Sequence, residues 1–207
     1  MTTVSDGPET DARERILDGA EACLLGGGFG AKRLMSAIAR RAGVSRTTLY
    51  KHFDNVEQIR TALMQREFNR FLARAGGLAD TATWDSDFFV ELAAFMVEHA
   101  RGNALFQAAL RAVPEQILPM LTIQAATVTD QIDAFARPLL QAQIDNGRFP
   151  PVDLDTLIDI VSRMVLSLIG TTTSTDIDDP AQLRRYLRNA ANLFAFIHAG
   201  PPQHSLA

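Results

Sequence analysis

The chain has 207 residues, of which 47% are hydrophobic and 21% charged, and its formal net charge is −4. This length suits one large domain or two smaller ones, and the apolar content excludes a wholly disordered chain. The single cysteine, Cys23, excludes an internal disulfide and a thiolate-rich metal site. The sequence has neither the apolar run of a membrane span nor a signal peptide, so we expect a reduced, cytoplasmic protein without membrane contact.

The net charge conceals an uneven distribution along the chain. Residues 1–21 carry a charge of −4, residues 22–53 contain no Asp or Glu and carry +6, and the residues from Asp54 onward carry −6. A basic segment is typical of polyanion binding, because each contact with a phosphate releases condensed counterions. An ordinary solvated surface could carry the same six charges, so the local pattern has to decide between the two interpretations.

A first helix is predicted after an N-terminal arm. Residues 1–10 show no periodicity and are expected to be disordered. Asp11 is the candidate cap of the helix, and its apolar residues recur at helical spacing until the glycines of residues 26–28 end it.

Two short helices are predicted next, over residues 35–42 and 46–53. Gly43 breaks the first of them, and Ser45 is a natural N-cap for the second. Such a pair, joined by a tight turn, is a candidate helix-turn-helix, in which the second helix lies in the major groove of DNA.

The remaining chain repeats the helical pattern without strand alternation. The predicted helices span residues 56–75, 85–100, 103–113, 115–146, 153–172 and 180–198. Gly76 and Gly77 are expected to end the first of these. Asp153 is expected to cap the helix over 153–172, and Pro180 to begin the last helix. Pro119 and Pro138 are expected to interrupt the long helix, with a kink at Pro138.

The fold class is therefore all-α, with about nine helices. A three-helix helix-turn-helix domain is predicted over residues 11–55. A larger helical domain is predicted over 56–200, and residues 201–207 form a tail.

The predicted third helix has two chemically distinct faces. Leu49 and Phe53 share an apolar face that is expected to pack on the preceding helices. The opposite face contains hydrogen-bond donors and no obligate anion, as contact with phosphates and base edges requires. These donors are Arg46, Thr47, Thr48, Tyr50, Lys51 and His52.

The segment 38–53, IARRAGVSRTTLYKHF, resembles the signature of TetR-family transcriptional regulators. The residues at 16–20, 28–29 and 57–59 also stand where that family's pattern places them, so the resemblance covers residues of about 12–60. It implies a homodimer that reads two half-sites of a palindromic double-stranded DNA operator. It also implies that the domain over 56–200 dimerises and binds a small-molecule effector that releases the DNA.

The resemblance assigns the DNA-binding positions residue by residue. The phosphate-contacting positions of the family correspond to Thr48, Tyr50 and Lys51. Its base-reading or flanking positions correspond to the other three donors, among which His52 stays open between a DNA contact and an ordinary surface residue. We also count Ser45, the predicted cap of the reading helix, with the DNA-binding residues.

Two positions depart from the family pattern. Arg33 and Leu34 stand where a threonine usually caps the second helix, and Val56 replaces the lysine that often begins the fourth. We expect Lys32 and Arg33 to compensate for the missing contacts.

An effector site in the C-terminal domain needs apolar walls and a few polar groups. Each candidate could also serve a purely structural role in an ordinary helical bundle, and for each individual residue this structural interpretation is preferred. A charge among apolar neighbours, such as Arg163, must be paired or reach solvent. The candidates are Phe68, Phe95, Met96, His99, Phe106, Met120, Gln124 and Arg163.

The last two predicted helices, 153–172 and 180–198, carry wide apolar stripes. In the family this pair forms a four-helix bundle with its twofold mate, and an isologous interface suits a twofold DNA site. The alternative is that one stripe packs within its own domain.

Together these features predict a ligand-responsive DNA-binding regulator, a repressor, with no catalytic residue, metal or cofactor. One alternative is a ligand-binding or interaction protein of the same fold with weakened DNA binding, which the two departures keep open. A helical-bundle enzyme is disfavoured, because the four histidines lack metal-ligand spacing and Cys23 lies on an apolar helical stripe.

Overall fold

The computed structural model describes residues 8–30, 33–80 and 83–199. Over these residues the chain forms ten α-helices, one short 3-10 helix (Gly28–Gly30) and no strand, which confirms the predicted all-α class. The α-helices are α1 (Pro8–Leu25), α2 (Leu34–Arg41), α3 (Arg46–His52), α4 (Val56–Asp80), α5 (Ser86–Gly102), α6 (Ala104–Ala112), α7 (Pro114–Leu121), α8 (Ala126–Asp145), α9 (Leu154–Gly170) and α10 (Pro180–Ala199).

Helix α1 starts earlier than the sequence predicted. It begins at Pro8, so residues 8–10 of the expected arm are helical and Asp11 lies inside the helix instead of capping it. Proline suits a first helical turn because its fixed φ is already helical and its missing N–H has no partner there. Residues 1–7 and the expected tail, 201–207, lie outside the described residues.

The described chain divides into two compact units. The first contains the described residues up to Phe71 together with Asn103–Ile117, and the second contains Leu72–Gly102 and the described residues from Leu118 onward. Helix α6, which lies in the predicted 56–200 domain, packs against α1 in the first unit.

The apolar core of the first unit joins α1, α2, α3 and α4. The predicted apolar stripe of α1 is buried, and so is the inward face of each of the other three helices. The large side chains of this unit with under 2% exposure are Ile16, Leu17, Ile38, Leu49, Ile59 and Leu63.

An ionic cluster fastens α4 to α1. The Arg66 side chain is only 9% exposed, and its Nη1 lies 2.7 Å from Asp18 Oδ1 and 3.2 Å from Glu14 Oε2. Its Nη2 donates to Glu21 Oε2 over 2.8 Å. Burial alone would lower the pKa of Arg66, but the hydrogen bonds to Asp18 and Glu14 outweigh it and raise that pKa. The guanidinium therefore stays charged and holds the two helices together.

The second unit has two apolar clusters that share helices α5 and α9. One cluster joins these helices to α10 through Val97, Val165 and Leu183. The other surrounds Trp84 with the rings of Phe88, Phe89 and Phe149 and reaches α8.

Side-chain caps start the last two helices. Asp153 accepts from the amide of Asp155 over 3.1 Å, and these local hydrogen bonds, led by that from the Thr156 hydroxyl, lower the pKa of Asp153. Asp179 accepts from the amide of Ala181 over 2.8 Å. The predicted cap at Asp153 and the predicted helix start at Pro180 are both confirmed.

The predicted ends at Gly76 and Gly77 are wrong, because α4 runs through both glycines to Asp80. A Cβ added at Gly76 would lie 3.3 Å from Cζ of Phe135, so this glycine gives Phe135 of α8 room against α4. A Cβ at Gly77 would meet nothing within 4 Å.

The long predicted helix over 115–146 is two helices, α7 and α8, separated by a turn at 122–125. This division accounts for ten helices where about nine were predicted. Neither proline stops its helix, since both Pro119 and Pro138 lie inside one. Pro138 cannot bond to the carbonyl four residues earlier, but that residue, Ala134, is exposed, so water can serve its carbonyl.

Replacing Gly77 by alanine should stabilise α4. We expect Gly77→Ala to raise the free energy of unfolding by about 0.5–1 kcal/mol, because alanine loses less backbone entropy in a helix. Gly76→Ala should give a smaller gain or a loss, since its Cβ meets Phe135. Urea denaturation followed by circular dichroism measures both, and equal gains at the two positions would contradict the Gly76–Phe135 contact.

Candidate nucleic-acid interface

The turn between α2 and α3 is closed by backbone hydrogen bonds. Gly43 has a φ of +64°, in the left-handed region that favours glycine. Its amide bonds to the Arg40 carbonyl over 3.3 Å, and the Val44 amide bonds to the Ala39 carbonyl over 3.0 Å. These two bonds form a Schellman motif, which ends α2 and confirms the predicted break at Gly43.

Helix α3 is started by Ser45, as the sequence predicts. Ser45 Oγ accepts from the Thr48 amide over 2.9 Å and lies 2.8 Å from the Thr48 hydroxyl. The helix is anchored by Leu49, which is 1% exposed, and by Phe53 directly after its last residue. The predicted apolar face of α3 is therefore its buried face.

The opposite face of α3 points to solvent. Arg46, Thr47 and Lys51 are exposed, and Tyr50 is 51% exposed. Thr48 and His52 are half-buried at the edges of this face. The structure thus brings all six predicted donors together on one seven-residue helix that contains no carboxylate.

The two departures from the family pattern have visible local consequences. Arg33 occupies the N-cap position of α2 but makes no side-chain capping hydrogen bond, and it is exposed. Lys32 lies outside the described residues. Val56 begins α4, and its helix start is capped by Asn55, whose Oδ1 accepts from the Gln58 amide over 2.9 Å.

Sequence reasoning missed two arginines of α1 that contact this region. Arg15 Nη2 donates to the carbonyls of Ala42 and Gly43 over 3.1 and 2.9 Å. The Arg13 guanidinium lies over the Phe53 ring, 5.2 Å from its centroid. Both residues fall in the acidic segment 1–21, so the charge count gave no reason to connect them with the turn.

The predicted effector-site residues are divided between the two compact units. Phe68 and Phe106 belong to the first unit, whereas the other six belong to the second. On α5, the rings of Phe95 and His99 lie 5.7 Å apart, and Met96 packs on the cluster shared with α9 and α10.

The remaining three candidates lie at the surface. Met120 and Gln124 are exposed, at the end of α7 and in the turn after it. The Arg163 side chain is 74% exposed and its Nε donates to Asp159 Oδ2 over 2.8 Å. Its charge is therefore both paired and solvated, and this hydrogen bond lowers the pKa of Asp159.

Neither a metal cluster nor a membrane span is found in the part of the chain that the structure describes. No group of three or more His, Cys, Asp or Glu residues there could hold a metal ion. Nor do the described helices include one with the length and apolarity needed to cross a membrane.

Fold and exposed donor helix together define a helix-turn-helix protein. Residues 16–63 match the family model for bacterial regulatory proteins, tetR family. Over this segment the chain is similar to TetR-family regulators, and the predicted resemblance is confirmed. The family is one of regulators, not enzymes.

Two curated relatives match part of the chain. Both are uncharacterised HTH-type transcriptional regulators of Mycobacterium tuberculosis, from two strains, and each is 48% identical to this chain over 59 residues. The match covers 28% of this chain and 29% of each relative, so it spans less than a third of their length.

Solved structures resemble the chain over nearly its whole length. RolR in complex with its ligand resorcinol has a TM-score of 0.59 at 18% identity, covering 95% of this chain and 98% of its own. The fatty acid degradation regulator FadR from Bacillus halodurans has a TM-score of 0.53 at 18% identity, covering 88% and 96%. At these identities the likeness shows a shared fold.

Removing the Ser45 cap should weaken the first unit. We expect Ser45→Ala to lower the free energy of unfolding by about 1 kcal/mol, because the Thr48 amide loses its acceptor. Ser45→Asp, which keeps an acceptor at the cap, should retain most of the stability while placing an anion beside the donor face of α3. Urea denaturation of the three proteins checks the cap, and an unchanged midpoint for Ser45→Ala would refute it.

Proposed function

We propose that the protein is a ligand-responsive DNA-binding transcriptional regulator, a repressor that leaves a palindromic operator when a small-molecule effector binds. The observation that carries this proposal is the exposed donor face of α3, fixed by the burial of Leu49 and Phe53. A helix of this kind, in a segment that matches a family of regulatory proteins, suits the major groove.

Within this proposal, the donors of α3 divide into two roles. Thr48, Tyr50 and Lys51 contact phosphates and set the register of the helix on the duplex. Thr48 can do so while bonded to Ser45, because a hydroxyl both donates and accepts. Arg46, Thr47 and His52 face base edges or flanking phosphates. Lys32 and Arg33, which precede α2 in the sequence, contact phosphates of the DNA backbone.

Two half-sites require a twofold dimer. We assign its interface to the outer faces of α9 and α10. Part of their predicted apolar stripes is buried within one chain, since Val165, Leu168 and Leu183 lie in its own core. What remains outside includes Ile160, which is 48% exposed on α9, and the exposed Tyr186 on α10. Large exposed apolar residues are typical of an interface centre.

We assign the effector to the second unit. The residues that support this assignment are Phe95, Met96 and His99, which combine apolar walls with a polar ring on α5. RolR, which shares the fold, holds resorcinol as its ligand. An effector that favours one spacing of the two reading helices would shift the population away from the DNA-bound state.

Lys51 provides the direct test of DNA binding. We expect Lys51→Ala to weaken binding to operator and random duplexes alike and to lower the slope of log affinity against log salt by about one, because one phosphate contact is lost. Arg148→Ala removes an exposed positive charge outside α3 and should leave the slope unchanged. Fluorescence anisotropy over a salt series measures both. The operator duplex is selected from a random-sequence pool, and an unaltered slope for Lys51→Ala would refute its phosphate role.

The dimer is tested by placing a charge at Ile160. We expect Ile160→Glu to weaken self-association at least about tenfold, since a carboxylate buried in the interface would have no partner. Ile123, 89% exposed in the turn after α7, supplies the matched control, because Ile123→Glu should leave the association unchanged. Sedimentation velocity over a concentration series decides, and equal behaviour of the two variants would exclude α9 from the interface.

A further inference from the structure

One face of α1 lies against the turn between α2 and α3. Asp11, Arg15 and Gly19 follow one another at intervals of four residues, so they share a face of the helix. Arg15 bonds to the turn residues Ala42 and Gly43, and Gly19 lies against Ala42. We call Arg15 and Gly19 together the turn seat.

Gly19 permits a direct approach of backbones. A Cβ added there would lie 3.0 Å from the Ala42 amide nitrogen, 3.1 Å from Ala42 Cβ and 3.2 Å from the Ile38 carbonyl oxygen. Backbone atoms cannot yield as the end of a flexible side chain can. Any side chain at this position would therefore push the end of α2 away from α1.

Arg15 holds the same turn by hydrogen bonds to the backbone carbonyls of the turn. The carbonyls of Ala42 and Gly43 lie past the end of α2, where no further helical turn supplies an amide donor. Both accept from Arg15 Nη2, and a cation at a helix C-terminus is also favoured by the helix dipole. Asp11 Oδ2 lies 3.5 Å from Nη1 of the same guanidinium and orients it.

The position of this contact along the chain gives it influence over α3. Only Val44 and Ser45 separate Gly43 from the first residue of α3. A shift of the turn is therefore passed on to the helix that carries the donors. Hydrogen bonds to base edges weaken steeply with distance and angle, whereas attraction to phosphates is long-ranged and tolerates small displacements.

We propose that the turn seat, Arg15 and Gly19, positions α3 for sequence-specific reading of DNA. The two residues touch no DNA themselves and act through the turn, so they are positioning residues. This inference rests on the proposed function, and it adds a determinant of specificity outside the helix-turn-helix. Loss of the seat lowers the preference for the operator over random DNA without removing a phosphate contact.

Two variants of opposite chemistry test the seat. Arg15→Met removes the donors and one charge, while Gly19→Ala changes no charge and only fills the space against Ala42. In each, we expect the ratio of operator affinity to random-duplex affinity to fall about tenfold or more, because misplaced base contacts are lost. The slope of log affinity against log salt should stay that of the unaltered protein.

Matched controls separate the seat from general effects of the substitutions. Arg148→Met removes an exposed positive charge of the second unit, and Gly77→Ala adds a methyl group to a helical glycine with nothing nearby. Both should keep the full operator preference. Binding is measured well below the thermal unfolding midpoint of each variant, and Arg15→Gln, a shorter donor, replaces Arg15→Met if that protein does not fold.

Two results would overturn the proposal. If both seat variants keep the operator preference, the seat has no part in reading. If Arg15→Met instead lowers the salt slope by about one and weakens both duplexes equally, Arg15 contacts a phosphate directly.

A measurement without DNA tests the turn seat independently of the proposed function. Amide hydrogen exchange over residues 44–48 should be about tenfold faster in both variants, because the turn opens more often when its anchor is lost. Unchanged exchange would refute the seat even if the unaltered protein binds its operator. Lack of any operator preference in the unaltered protein would refute the proposed function, while faster exchange in the variants would still support the seat.

Discussion

The burial of Leu49 and Phe53 is the contact on which helix α3 depends. Helix α3 has seven residues, and a helix of that length is not stable alone in water because nucleation costs more than its few hydrogen bonds return. Its existence therefore rests on Ser45 at one end and on two apolar side chains in the core of the first unit. The same burial turns the donor residues outward, so folding and presentation of the donor face are one event.

The net charge of the chain hides how charged residues are distributed in the first unit. The acidic residues of α1 would repel DNA if they were all free in solution. Three of them, Glu14, Asp18 and Glu21, surround Arg66 of α4 instead. The basic residues of α2 and α3 have no carboxylate within their own segment, which spans residues 22–53. Three acidic residues of α1 thus hold α4 in place, while the basic residues of α2 and α3 lie at the surface.

Features whose cause lies within a few residues could be predicted from the sequence. The cap at Ser45, the break at Gly43 and the cap at Asp153 each depend on the chemistry of one side chain and its neighbours. The donor face of α3 was equally local, since helical spacing alone separates it from Leu49. Here sequence and structure agree residue by residue.

Features that depend on a distant partner could not be predicted in this way. Nothing near Gly76 indicates that Phe135 will pack on it, so the glycine was interpreted as a helix end. The apolar stripe with Val165 and Leu183 fits an interface and a core equally well, and only the packing of α5 decides between them. Arg15 acts on residues 27 and 28 positions away, beyond the reach of any local pattern.

The membership of α6 in the first unit has a consequence for the order in which the protein becomes stable. Leu105 and Ala109 are buried in that unit, and Asn103 donates to Glu67 of α4 over 3.2 Å. A ribosome has therefore released all of α5 before the first unit can close its core. The polypeptide passes from one unit to the other three times, so neither unit is a continuous stretch that can be cut out and expected to fold by itself.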